Sequence, residues 1–297
     1  MSEPFGAFES VRDRRLHRVL LAACGLYALV GAALAIFSSE AFGPWRGQIA
    51  EALYGTAALD PSVARFARFT DGILGASICG KWVASAWIVH VPLRRGERWA
   101  AWAVLASHLT WFVIDSTTSV LRGAAINVLV INLAPLVVVG GLTLALLPRA
   151  NRARAPSSPP RVADRALYAA CAISALVGLA AAIAFDAPLF AVYRDAIADL
   201  YFGGVEGDWL VYARFVFGLI GGTIAGHFVA LGASVAFAPR ARWVRLSAVS
   251  SMLAWFVLDA SISALEGAWF NVLWVDVPSL AVVLVPATIA LRGADRP

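Results

Sequence analysis

Charge is scarce in this chain. Asp, Glu, Lys and Arg make up 14% of 297 residues, and Lys81 is the only lysine. Soluble domains carry about 25%, so a soluble fold is excluded before any motif is read. Cysteine is scarce too. Cys24, Cys79 and Cys171 form no Cys-x-x-Cys pair, which argues against a quinone-linked disulfide enzyme and leaves them as small buried side chains. No soluble basic segment exists to hold a duplex, so the net charge of +5 is no sign of nucleic-acid binding.

What is abundant is hydrophobic, at 60% of residues. Apolar stretches near the length of a membrane span fall roughly at 19–37, 70–92, 100–121, 126–147, 166–186, 213–236, 244–265 and 270–291. The expected fold is therefore an all-α membrane protein of eight transmembrane helices. Seventeen of the 24 basic residues fall in alternate connections and at the two termini: Arg12 to Arg18, Arg94 to Arg98, Arg149 to Arg165, Arg240 to Arg245, and Arg292 with Arg296. The positive-inside rule makes that side cytoplasmic, with both termini inside and the chain multi-pass.

The chain also repeats itself. WFVIDSTTSVLRGAAINVLVI at 111–131 and WFVLDASISALEGAWFNVLWV at 255–275 agree at 11 of 21 positions with a constant offset of 144. HRVLLAACGLYALVG at 17–31 returns as DRALYAACAISALVG at 164–178. The second copy is internal and cannot be an export signal, so the first apolar stretch is expected to be retained despite Ala33-Leu34-Ala35. The expected organisation is a four-helix repeat at 1–148, a cytoplasmic Pro/Arg/Ser linker at 149–164, and a second four-helix repeat at 165–297. An even number of spans per copy gives parallel topology and a pseudo-two-fold axis along the membrane normal. The segments 38–67 and 187–212 each hold an amphipathic piece, around Trp45-Arg46-Gly47-Gln48-Ile49 and Tyr193-Arg194-Asp195-Ala196-Ile197, read as short interfacial helices.

Polar residues within apolar runs are costly, and the repeat keeps several of them. Asp115 and Asp259 match, as do Asn127 and Asn271, Asn132 and Asp276, and Trp111 and Trp255. Helices 2 and 6 share Arg-Phe-x2-Gly-x2-Gly-x4-Gly-[Lys/His], which pairs Arg68 with Arg214 and Lys81 with His227. Glycines at that spacing let neighbouring backbones approach closely. Lys81 lies too deep to snorkel, so a partner or a hydrated cavity is expected beside it. The swap of Arg122 for Glu266 reads as a salt bridge across the axis.

Asp115, Asp259, Asn127, Asn271, Asn132, Asp276, Arg68, Arg214, Lys81, His227, Trp111 and Trp255 are thus the candidate ligand-binding residues. They are expected to form a polar pocket in the outer half of the bundle, with Lys81 and His227 at its floor. His108, Asp115 and Ser119 carry triad letters but are strung along one helix and cannot converge. His108 and His227 map to Met252 and Lys81, which breaks the symmetry of a duplicated haem site. No catalytic residue, metal or cofactor is assigned.

Each half, with its Arg-Phe-x2-Gly-x2-Gly entry to helix 2 and its Trp-Phe-Val-[Ile/Leu]-Asp-x3-Ser-x-Leu-x-Gly-Ala-x2-Asn hairpin, resembles small bacterial four-helix membrane proteins of uncharacterised function. In architecture it is similar to the DoxX-like four-helix proteins. The resemblance implies a tandem fusion of two such units in a bacterial inner membrane. The leading expectation is binding or carriage of a small molecule or membrane lipid. A carrier would rock one repeat against the other. One alternative is an intramembrane enzyme of the lipid or isoprenoid isomerase or cyclase type with Asp115 or Asp259 as acid. The other is a structural or assembly protein whose polar residues only lock helices.

Overall fold

The computed structural model describes residues 10–150, 159–205 and 207–292. Residues 151–158 of the expected linker, with Arg152 and Arg154, lie outside the described residues, as does Arg296. Among the described residues the regular elements are all helical. In chain order they are α1 (Val11–Ala41), α2 (Gly43–Tyr54), α3 (Pro61–Ile88), α4 (Arg98–Leu121) and α5 (Ala125–Leu146) in the first half. The second half holds α6 (Val162–Ile183), α7 (Ala191–Phe202), α8 (Trp209–Phe237), α9 (Arg242–Leu265) and α10 (Trp269–Leu291).

Seven of these helices are long and apolar enough to cross a membrane: α1, α3, α5, α6, α8, α9 and α10. The sequence reading expected eight. The remaining helix, α4, has 24 residues but is not one of the seven. Ser107, His108, Asp115, Thr118 and Ser119 lower its apolar content, and all of them lie on its buried face. The expected starts of α3 and α8 also move. Asp60 caps α3 by accepting from Ser62 N at 2.9 Å, and Pro61 opens the helix, so α3 begins well before residue 70.

The two halves interlock. The membrane-length windows of α3 and α8 are 78% and 83% buried, against 17–33% for the other five, so these two form the centre. Helix α3 packs along α1, α8 and α9, while α8 packs along α6, α3 and α4. The second long helix of each half therefore packs both on the first long helix of its own half and on the third long helix of the other. Helix α5 leans on α1 and α4, and α10 on α6 and α9.

Glycine makes these contacts. Lipid gives no hydrophobic drive between helices, so association depends on close packing of small residues. A Cβ built on Gly75 would lie 2.5 Å from Gly31 O of α1, and one on Gly221 would lie 2.7 Å from Ala182 N of α6. A second set faces the other half. A Cβ on Gly72 would meet Ile262 of α9 at 2.6 Å, and one on Gly218 would meet the Thr118 hydroxyl of α4 at 2.7 Å. The motif glycines of α3 and α8 thus serve two neighbours at once. That bears out the packing reading of their spacing.

Ion pairs tie the arginine-rich end. Arg149 at the end of α5 meets Asp13 of α1 at 2.6 Å, and Arg245 of α9 meets Asp164 of α6 at 2.5 Å with both side chains buried. The opposite end is capped by α2 and α7.

Candidate functional site

The duplicated aspartates sit in matched hydrogen-bond networks. Asp115 Oδ1 accepts from Asn127 Nδ2 at 2.8 Å and from Asn132 Nδ2 at 2.6 Å. Asn127 Nδ2 also donates to Ser119 Oγ at 3.0 Å, while Trp45 Nε1 of α2 donates to Asn127 Oδ1 at 3.2 Å. In the second half Asp259 Oδ1 accepts from Asn271 Nδ2 at 2.8 Å and from Ser263 Oγ at 3.2 Å. Tyr193 OH of α7 donates to Asn271 Oδ1 at 2.8 Å. Asp276 joins through Asn271 Nδ2 at 3.2 Å, and its Oδ2 has no hydrogen-bond partner.

Local backbone geometry builds these networks. Gly123 and Gly267 turn α4 into α5 and α9 into α10 with φ of 79° and 78°, a left-handed conformation in which a side chain is strained. The next helix then takes a π turn, at Val128–Asn132 in α5 and Val272–Asp276 in α10. Residues five apart on an α-helix point about 140° away from each other. A π turn brings them closer to one face, so Asn127 and Asn132 both reach Asp115, and Asn271 links Asp259 to Asp276. Trp45 and Tyr193 add the short helices, so each network joins a hairpin to its cap.

A second layer lies deeper, where α3 and α8 cross. Lys81 passes Gly226 and His227 passes Gly80: a Cβ on either glycine would lie 3.2 Å from the Lys81 or His227 side chain. Lys81 is 2% exposed. Its Nζ lies 3.9 Å from the Trp82 ring centroid, 5.0 Å from that of Trp111, and 3.5 Å from His108 Nδ1. Cation–π attraction and the histidine are its partners among the described residues, with no carboxylate at ion-pair distance. The row Tyr27, Trp82, His108, Trp111 is continuous, with ring centroids 5.0, 5.2 and 5.1 Å apart. On the other side, His227 Nε2 lies 3.1 Å from Ser251 Oγ, and the ring stacks on Phe228 at 5.0 Å.

Beside His227 is a cavity of about 240 Å³ between α6, α8, α9 and α10. Ile173 and Val282, both more than half exposed, stand at its mouth. At its inner end are His227 and Ser77, 4% and 2% exposed. Ser77 Oγ has no hydrogen-bond partner among the described residues. Trp255, Phe228 and Met252 supply apolar wall, and no Asp, Glu, Lys or Arg lines the cavity.

The candidate residues therefore separate instead of forming one outer pocket. Asp115, Asn127 and Asn132 form one network, and Asp259, Asn271 and Asp276 the other; none of the six lines this cavity. Of the deeper set, His227 and Trp255 line it, whereas Lys81 and Trp111 are packed together away from it. Arg68 and Arg214 lie toward the capped end and are paired, Arg68 with Glu266 at 3.3 Å and Arg214 with Asp186 at 2.8 Å. Glu266 also takes Arg65 at 3.3 Å, so the expected Arg122–Glu266 bridge is replaced by arginines of α3.

Sequence reasoning left several residues out of the candidate set. Asp71, fully buried in α3, pairs with Arg46 of α2 and accepts from Tyr212 OH at 3.2 Å. Its match in the second half is Phe217, so the repeat gave no signal. Tyr54 donates to Asp208 O at 3.0 Å and accepts from Tyr212 N, tying α2 to the start of α8; burial pushes its hydroxyl up to about 12. Ser251 is repeated as Ser107, whose hydroxyl donates to Gly226 O at 2.7 Å, and that match was a usable signal. Ser77 carried none beyond its match to Thr223.

Among the described residues no cluster of three His, Cys, Asp or Glu side chains could hold a metal ion. The arrangement can dock an apolar molecule from the side and offer its inner end two hydrogen-bonding groups. No protein-family model, curated protein or solved structure matches the chain.

Proposed function

We propose that this chain is an eight-span protein of a bacterial inner membrane that binds a lipid-like small molecule at mid-depth. Its arginine-rich end and both termini face the cytoplasm, and the halves are two parallel four-helix repeats, a tandem fusion of small DoxX-like units. The eighth span is α4, whose polar face is buried inside the bundle. The observation that carries the binding reading is the cavity of about 240 Å³, with an apolar mouth and with Ser77 and His227 at its closed end. A ligand would enter sideways from the acyl chains, which is where an apolar molecule is most concentrated.

Binding is favoured over rocking. Rigid-body rocking needs halves that slide past each other. Here the Gly72–Ile262 and Gly218–Thr118 contacts lock each half into the other. In this reading Asp115 and Asp259 hold the hairpins and caps, as the structural alternative requires of those residues alone. The acid-catalyst alternative has less support, because neither carboxylate lines the cavity.

Native mass spectrometry of the detergent-purified protein tests this. A small-molecule adduct at one per chain, surviving removal of the detergent, is the expected result. Bare polypeptide mass in every charge state, from preparations made without delipidation, would refute it.

A further inference from the structure

Resting on the binding reading above, we infer that the cavity selects an uncharged amphiphile carrying one terminal hydroxyl, and that the matched site in the first half cannot hold it. The selection follows from what lines the inner end. Ser77 Oγ is buried without a partner, and an orphaned polar group in apolar surroundings favours any ligand that satisfies it. Ser251 Oγ has the Ala248 carbonyl to donate to at 3.4 Å, which leaves His227 Nε2–H to donate to Ser251 Oγ. His227 Nδ1 is then an acceptor with no hydrogen bond from the described residues. A hydroxyl matches both groups: it accepts from Ser77 and donates to His227. A ketone or ether oxygen cannot donate, and a bare hydrocarbon satisfies neither.

Charge is disfavoured by the same lining. No Asp, Glu, Lys or Arg borders the cavity, and an ionised group without a partner at this depth costs several kcal/mol. Lys81, close by across the α3–α8 crossing, is enclosed by Trp82, Trp111 and His108 and cannot serve as a counter-ion. At about 30 Å³ per water-sized group, the space takes about eight such groups. That is the hydroxyl end and first stretch of a chain, whose remainder leaves past Ile173 and Val282.

The restriction to one half is a matter of volume. At the matched positions the first half has Tyr27, Trp82 and His108 where the second has Ser174, Phe228 and Met252. Tyr27 stacks on Trp82, and the Trp82 ring lies tilted against His108 at 5.2 Å, so aromatic rings fill the matched space. Ser174 is half-buried beside the mouth of the second-half cavity.

The test uses the full-length protein in lipid nanodiscs with a diazirine-bearing hexadecanol. After photolysis, labelled peptides are mapped by mass spectrometry. Label should saturate on peptides carrying Ile173–Val177 and Val275–Val282. Unlabelled hexadecanol should compete at least fivefold better than hexadecyl phosphate or hexadecane. Ser77→Ala should weaken labelling roughly threefold to tenfold. Ser174→Tyr, which copies the first half, should abolish it without lowering the melting temperature. If Ser174→Tyr fails to fold, Ser77→Ala and the competition series still decide. Equal competition by the phosphate or the alkane would overturn the hydroxyl selection and leave the binding site standing. No saturable label on those peptides from alcohol, phosphate or alkane versions of the probe would overturn the binding reading as well.

Discussion

Tyr27 stacks on Trp82 with ring centroids 5.0 Å apart and planes 28° from parallel. With that contact the first half closes the space that the second half leaves open beside Ser174 and Phe228. The two halves thus share packing features while their interiors differ. The scaffold depends on glycines and amide networks that recur in both copies, and the cavity depends on side chains that do not.

The glycine contacts predict a steep positional contrast. Gly75→Val and Gly221→Val each force a side chain into a neighbouring backbone and should cost about 1–3 kcal/mol or more. Gly25→Val, on the same bundle, has nothing within 4 Å of its Cβ and should be nearly neutral. Thermal unfolding in detergent compares the three. Equal losses would mean that α1 and α6 do not approach α3 and α8 as described.

Arg46 and Asp71 predict a non-additive pair. Asp71 is fully buried, so Arg46→Ala strands its carboxylate and should cost about 3–5 kcal/mol. Adding Asp71→Phe, which copies Phe217 of the second half, should restore most of that loss. A double variant no more stable than the single would show that the pair is not coupled.

The second network has room for improvement. Asp276 Oδ2 and Asn132 Oδ1 both have no hydrogen-bond partner among the described residues, but Asn132 Nδ2 donates to Asp115 at 2.6 Å, a bond that the Asp276 carboxylate cannot offer Asp259. Asp276→Asn should therefore raise stability by about 1 kcal/mol, and Asn132→Asp should lower it by a similar amount. Denaturation midpoints moving the other way would point to a function for the Asp259–Asp276 pair.

Lys81 predicts the reverse of the usual core substitution. Its ammonium has aromatic faces and a histidine but no carboxylate among the described residues. Lys81→Met keeps the length of the stem and removes a buried charge, so the variant should melt no lower than the natural protein. A fall of several degrees would show that the cation holds α3 in place.

Much of the scaffold could be read from the letters. The apolar stretches located the long helices, Trp45 and Tyr193 marked the short ones, and the glycine spacing in α3 and α8 announced close packing. These are local properties, set by hydropathy, helix period and the absence of a side chain. The start of α3 was misplaced, because Arg65 and Arg68 interrupt the apolar run, while Asp60 and Pro61 begin the helix before them. The matched aspartates were found as well, but not the hydrogen-bond networks they enter. Whether a buried carboxylate meets a ligand or an asparagine depends on π turns that shift registry by a fraction of a turn, and no residue type dictates those turns.

The sequence by itself determined a duplicated, helical, arginine-sided chain with costly polar groups kept in both copies, because membrane solvation acts on each segment separately. Only the tertiary structure decided where the cavity beside His227 forms and how the halves interlock. Those outcomes depend on side-chain volumes from four helices summed at one place, where Tyr27 fills the space and Ser174 does not.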